Sequence, residues 1–199
     1  MAPHRFELVG GDPALDFLNT VHDWTEELRV DYLTTFGDAV RLGEAAGVLS
    51  RGEARRLAGR EDRAELERLV ELRAVLQRVT SALVDGRAPR TEDLEALAEE
   101  SAESASVMRL EGAGVGLRRA VRSEDAGTAT LRHRIVDAAM ALLTSESADS
   151  VKSCPACGWF FVDATKNRSR RWCSMSTCGA IAKSRRYYQR TKARRSRRR

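Results

Sequence analysis

The sequence predicts a mainly α-helical protein. A helical N-terminal domain carrying one small β-hairpin is followed by a treble-clef-like C-terminal module, in which a knuckle hairpin leads into a basic helix. Three observations predict this. Apolar residues recur at spacings of three and four through much of the first 145 residues. All four cysteines fall between positions 154 and 178. From Lys166 to Arg199 there are 14 Lys or Arg and no Asp or Glu, which leaves 20 basic and 29 acidic residues in 1–165, a net of −9.

The elements follow in order. FELVGG reads as a short extended piece ending in a Gly-Gly turn. Pro13 suits a first helical turn, and Leu15, Leu18 and Val21 share a face, so a helix is expected over about 13–23. Within it, Asp16 and Asn19 read as capping or buried hydrogen-bonding groups. GDAVRLGEAAGVL reads as a helix weakened by Gly43 and Gly47, and Ser50 caps a short helix in EARRLAG. The strongest helical signal lies between Glu61 and Val84, where Leu66, Leu69, Val70, Leu72, Leu76, Val79 and Leu83 recur among charges of both signs. Gly86 and Pro89 stop it. Thr91 marks the N-cap of a helix to about Ser104. The two halves of SVMRLEGAGVGLRRAV meet at Gly112 and Gly114 as a hairpin. From Ser123, or Thr128 at the latest, to Leu143 the helical spacing returns at Leu131, Ile135, Ala138, Ala139 and Leu142, with His133 expected on the surface. TSESADS at 144–150 is a polar break. It divides a helical domain, 1–145, from a module at 146–190, and 191–199 is expected as a disordered basic tail.

Composition excludes several classes. A chain with 42% hydrophobic and 32% charged residues is of soluble globular type, and its longest apolar runs, such as AAMALL, are too short to cross a bilayer. The N-terminus lacks the pattern of a secretory signal, so the cytoplasm is the expected compartment. His4, His22 and His133 are scattered, and no Gly-rich phosphate loop or nucleophile motif is present, so no enzymatic activity is expected.

The cysteines are spaced C-x2-C-x15-C-x4-C, as Cys154, Cys157, Cys173 and Cys178. Two close pairs separated by a loop can surround a tetrahedral zinc ion, and in a cytosolic protein metal is favoured over disulfides. Four thiolates leave no open coordination position, so one zinc per chain is expected in a structural role. Trp159, Phe160 and Phe161 beside the ligands read as the module's small core rather than as a base-stacking platform.

Lys166, Arg168, Arg170 and Arg171 either ease ionisation of the thiols or face a polyanion. After Gly179, Lys183, Arg186, Arg190, Arg194 and Arg197 recur at spacings of three and four, giving one continuously basic helical face. Arg185 shares a neighbouring stripe with Ile181 and Tyr188, both expected to pack onto the knuckle. The candidate nucleic-acid contacts are therefore Lys166, Arg168, Arg170, Arg171, Lys183, Arg185, Arg186 and Arg190. A membrane is a weaker partner, because Tyr187 and Tyr188 are the only large amphipathic anchors of this helix.

The residues C-x2-C-G-W-F-F-V-D-A-T at 154–165, NRSRRWCSMSTCG at 167–179, and Ala182-Lys183 followed by paired arginines resemble the CGNR zinc-finger family of bacterial proteins. GGDPALDFLNTV at 10–21 is similar to the opening motif of the helical ABATE domain that accompanies this finger. The resemblance implies a stress-induced transcription regulator, whose helical domain senses a signal such as a small-molecule effector and whose finger binds DNA. An RNA- or ribosome-associated zinc protein is the alternative. The chain departs from the family at the naming motif itself, with Ala180 and Ile181 where the pattern has Asn and Arg after the glycine.

Overall fold

Side-chain caps set the starts of the first four helices. The computed structural model describes residues 6–22 and 30–196, with side chains as far as Gln189. Asp12 accepts the Ala14 N–H to start Pro13–Leu18 (α1). This helix stops at Leu18, short of the expected end near residue 23, because the next side chains bond elsewhere. Thr20 donates its hydroxyl to the Phe17 carbonyl, and Asn19 reaches across the molecule to Phe160. The chain then forms Val21–His22 (β1), paired antiparallel with Val30–Asp31 (β2), a ribbon the sequence pattern did not signal.

Thr35 with Asp38, and Ser50 with Glu53, make capping boxes for Phe36–Ala45 (α2) and Arg51–Leu57 (α3). Asp62 caps the 22-residue Arg63–Val84 (α4). Thr91–Ser106 (α5) corrects one expectation: Thr91 is its first helical residue, and Arg90 sits at the cap without a side-chain bond. Met108–Ala113 (β3) and Gly116–Val121 (β4) form the expected hairpin, in register from Met108↔Val121 to Ala113↔Gly116. Ser123–Ala126 (α6) leads through a 3₁₀ turn into Thr130–Leu143 (α7). The polar break carries a second 3₁₀ turn, Glu146–Ser150, before Val151–Ser153 (β5) pairs with Phe160–Val162 (β6). The last element, Ala180–Ser196 (α8), extends into the segment expected to be disordered. Its Arg, Lys, Ala and Gln residues are good helix formers, which accounts for the extension. Residues 197–199 lie outside the described residues.

The core joins α1, α2, α4 and α7 through Leu15, Phe17, Leu18, Leu42, Leu69, Leu72, Leu76, Leu131 and Ile135. Val151 and Phe160 belong to this same core, so β5 and β6 pack on the helical domain rather than beside it.

Buried charge fixes the helices in angle. Arg132 on α7 has no exposed side-chain surface; it donates to Glu65 of α4 at 2.8 Å, to Glu103 of α5 at 3.0 Å, and to Glu100 of α5. Arg68 donates to the same α5 pair, and its hydrogen bond is the main reason the Glu103 carboxyl falls to about 2. Arg73 of α4, equally buried, holds Thr20 and both oxygens of Asp31, tying the β1–β2 ribbon to the helices. Arg134 donates to Glu53 and to the Val48 and Val121 carbonyls, and its hydrogen bond is the first cause of a Glu53 carboxyl lowered to about 2.

His133 is buried, not on the surface as expected. It lies behind Ser104, whose hydroxyl donates to its carbonyl. Burial first, and then the charge of Arg132, lowers its pKa.

Because Arg132 is fully buried and pairs with the buried Glu65 as well as with Glu100 and Glu103, Arg132→Leu is expected to cost about 3–5 kcal/mol in a urea titration followed by helical circular dichroism. Adding Glu65→Leu should recover part of that loss. A single variant within about 0.5 kcal/mol of the parent, the usual range for a neutral surface change, would show that the network does not hold the helices together.

Candidate metal centre and nucleic-acid interface

The first cysteine pair sits at the tip of the β5–β6 hairpin. Cys154 accepts the Gly158 N–H at 2.8 Å and donates to the Trp159 carbonyl at 2.8 Å, closing a knuckle around Cys157. Gly158 has φ +75°, a left-handed conformation that a side chain would strain. The second pair precedes α8. Ser174 accepts the Thr177 N–H, and a π turn over Met175–Gly179 carries Cys178 into the helix.

The four sulfur atoms converge within 4.8 Å of one another. Cys157 and Cys173 lie 3.5 Å apart, and Cys173 and Cys178 lie 3.7 Å apart. These separations match the edge of a tetrahedron with Zn–S bonds of about 2.3 Å, an edge of about 3.8 Å. They are far from the roughly 2.05 Å of a disulfide, and all four cysteines are free. The donor set therefore fits zinc, held by Cys154, Cys157, Cys173 and Cys178.

The thiols already share charge unevenly. Hydrogen bonding from Cys173 holds Cys157 down at about 5, whereas burial pushes Cys178 up to about 11. Cys173 is pushed up by its bond to Cys157 and by burial. A divalent cation at the centre favours ionisation of all four.

Beneath the cluster, Asp163 organises the 15-residue spacer. Burial works to raise its pKa, but hydrogen bonds from Lys152, from the Thr165 hydroxyl and from the Thr165 and Arg170 amides hold the carboxyl well below its usual range. The aromatic residues divide. Trp159 and Phe161 pack with the cysteines, as expected, while Phe160 points into the helical core.

A family model for the CGNR zinc finger matches residues 151–191. A second, for ABATE, described as "Putative stress-induced transcription regulator", matches residues 11–146, more than half of the chain. The chain belongs to the ABATE family. None of the curated proteins matches it. It is thus a zinc-binding protein of regulator type with zinc as its structural cofactor, and among the described residues no helix is long and apolar enough to cross a membrane.

The opening motif of the ABATE domain, GGDPALDFLNTV, is a latch for the finger. Asn19 donates its side-chain amide to the Phe160 carbonyl at 2.9 Å and accepts the Phe160 N–H at 2.9 Å. Gly10 accepts the Val162 N–H at 2.8 Å, and Val21 accepts the Trp159 indole at 2.8 Å. Asp16 accepts the Gly10 N–H, and burial is the main reason its carboxyl is pushed up to about 6.

The expected nucleic-acid contacts separate into two groups. Arg170 is half-buried and turned inward. Its guanidinium lies 4.5 Å over the Phe161 ring and donates to the carbonyls of Val9, Val162, Trp172 and Cys173. Nothing local in RSRRWC distinguished it from its neighbours. Arg168 adopts φ +45°, and its carbonyl accepts Lys152. Lys166, Arg171, Lys183, Arg185 and Arg186 are exposed, and Arg190 lies outside the described side chains. Tyr188 does not pack onto the knuckle as expected and is 77% exposed, whereas Ile181, 50% exposed, lines a cleft with Cys157 and Trp159. Trp172 and Met175 were not singled out by spacing, and they line an open groove with Tyr187 at the base of α8.

Zinc content should be one equivalent per chain by metal analysis and less than half of that in Cys173→Ser. Chelation should speed amide exchange across 151–185, because so small a module depends on its metal. It should also lower the melting temperature of the helical domain, since Phe160 and Val151 are part of that core. A finger that keeps its protection after chelation would show that metal does not hold it.

Asn19→Ala removes both bonds to a buried backbone pair, an expected loss of about 1–3 kcal/mol. Residues 151–162 should then exchange faster while α4, α5 and α7 keep their protection. Unchanged exchange in β6 would show that the latch does not fasten the finger.

Proposed function

We propose that the chain is a zinc-dependent DNA-binding transcription regulator, with α8 as the DNA-contacting element and the helical domain as the signal-sensing one. The observation that supports it is the condition of the basic side chains. On the helical domain Arg68, Arg73, Arg78, Arg132 and Arg134 form ion pairs, and the exposed Arg51, Arg55 and Arg60 lie in a stretch that also carries the carboxylates Glu53, Glu61 and Asp62. Among the described residues Lys166, Lys183, Arg185 and Arg186 stand exposed on the finger, with no carboxylate paired to them.

The shape suits a duplex. A helix about 10–12 Å across with its side chains fits a major groove about 12 Å wide. Seventeen residues, Ala180–Ser196, begin directly after the ligand Cys178, so zinc fixes the root of the helix while its outer part projects free. Lys183 and Arg186 lie one turn apart on a single face, which places their charges to neutralise successive phosphates. The latch supports the sensing role, because a ligand that shifts α1 against α4 would move the strand that carries the knuckle.

The zinc-loaded chain is expected to bind duplex DNA with log K falling against log salt at a slope of roughly −4 to −5, as for about five phosphate contacts. Deleting 183–199 should abolish binding and leave the helical domain folded. A flat salt response, or full binding by the truncated chain, would remove DNA as the partner. Tighter binding to structured RNA than to duplex DNA in the same titration would transfer the reading to RNA.

A further inference from the structure

The finger exposes apolar surface at the root of α8. Met175 is 70% exposed and Tyr187 71% exposed. Together with the half-buried Trp172 they line a groove of about 460 Å³, floored by Gly179 and rimmed by Lys183 and Arg186. The volume lies within the roughly 300–1,000 Å³ of ordinary ligand pockets.

The backbone at Gly179 lies close under the groove. A β-carbon built there would stand 3.1 Å from the Met175 sulfur and 3.4 Å from Trp172 Cδ1, so that the methionine would have to give by a few tenths of an ångström. Arg171 adds a further cation, its guanidinium 5.3 Å from the centre of the Trp172 ring.

Rings beside unpaired cations, with no carboxylate from Lys166 to Arg199, describe a ligand that is flat, apolar on its faces and anionic at its edge. An acidic peptide would satisfy the cations and leave the rings uncovered. A paired base in a duplex keeps its faces stacked on its neighbours and cannot present them. We infer that this groove takes one unpaired nucleotide, its base stacked on Trp172 or Tyr187 and its phosphate on Lys183 and Arg186. The inference rests on the reading of α8 as a nucleic-acid element and adds the form of nucleic acid it captures: a strand with an unstacked base, as in locally opened DNA. Base–aromatic stacking depends little on sequence, because every base has a π face.

The test uses the full zinc-loaded chain, a short oligothymidine strand carrying one 2-aminopurine, and the same strand annealed to its complement. Binding of the single strand should quench the 2-aminopurine fluorescence, which reports stacking. At least one of Trp172→Ala and Tyr187→Ala, whichever removes the ring that carries the base, should weaken single-strand binding by roughly 5- to 150-fold, the equivalent of about 1–3 kcal/mol per stacked base. Duplex affinity should change by less than about twofold, within the range of a peripheral contact. Tyr187, being largely exposed, serves as the variant that leaves the fold intact, and zinc content checks both.

Single-strand binding that keeps its salt dependence but is unchanged in both variants would overturn the groove while leaving α8 as a nucleic-acid helix. Equal losses on strand and duplex would likewise overturn it. A chain that binds neither form would overturn the groove and the proposed function together.

Discussion

One side chain decides whether this protein is one body or two. Asn19 offers the Phe160 backbone both a donor and an acceptor, as a neighbouring strand would, and so closes the exposed edge of a two-stranded hairpin. A strand pair is marginal alone in water. Here its inward residue, Phe160, fills the helical core, and its outward residue, Phe161, underlies the cysteines. Alternation along three residues of β6 thus gives the helices one ring and the metal centre the next. Gly10, Val21 and Val9 add main-chain carbonyls on the same side, which Val162, Trp159 and Arg170 occupy.

Charge is handled in opposite ways by the two ends of the chain. The helical domain places arginines at helix contacts and surrounds them with carboxylates: Arg132 joins three helices through Glu65, Glu100 and Glu103. Such buried pairs set packing angles more than they add stability. The finger consumes few of its cations internally. Lys152 supports Asp163, and Arg170 clamps the loop before Cys173. Among the described side chains Lys166, Arg171, Lys183, Arg185 and Arg186 face solvent, and the sequence from Lys166 onward holds no Asp or Glu.

The sequence made α4, the β3–β4 hairpin and the cysteine set legible, because each rests on local spacing: apolar residues along one helix face, two runs meeting at glycines, and ligand pairs with two and four residues between their members. What escaped it depends on distant partners. The early end of α1 is set by Phe160, 141 residues from Asn19. His133 reads as a surface residue until α5 is laid over it. Arg170 differs from Arg168 and Arg171 only in what the folded loop brings near, and no count of arginines shows which one is spent on carbonyls. The exposure of Tyr188 depends on the direction in which α8 leaves the zinc site, which the cysteine spacing does not state.

The unequal division of charge gives the molecule a property neither part has alone. A body of net −9 over residues 1–165 is fastened to a segment with 14 basic residues and no acidic one. Because the latch fastens the finger to the helices, the described cations at the root of α8 keep a set direction from the acidic helices, which gives the molecule an electric dipole. In the field of a polyanion such a molecule experiences a torque before it experiences contact, turning α8 forward and the acidic helices away. Wrong-way encounters are repelled rather than merely unproductive. The range of this orienting effect is the Debye length, about 8 Å at physiological salt, so ionic strength governs the fraction of collisions that arrive correctly aligned as well as the strength of those that succeed.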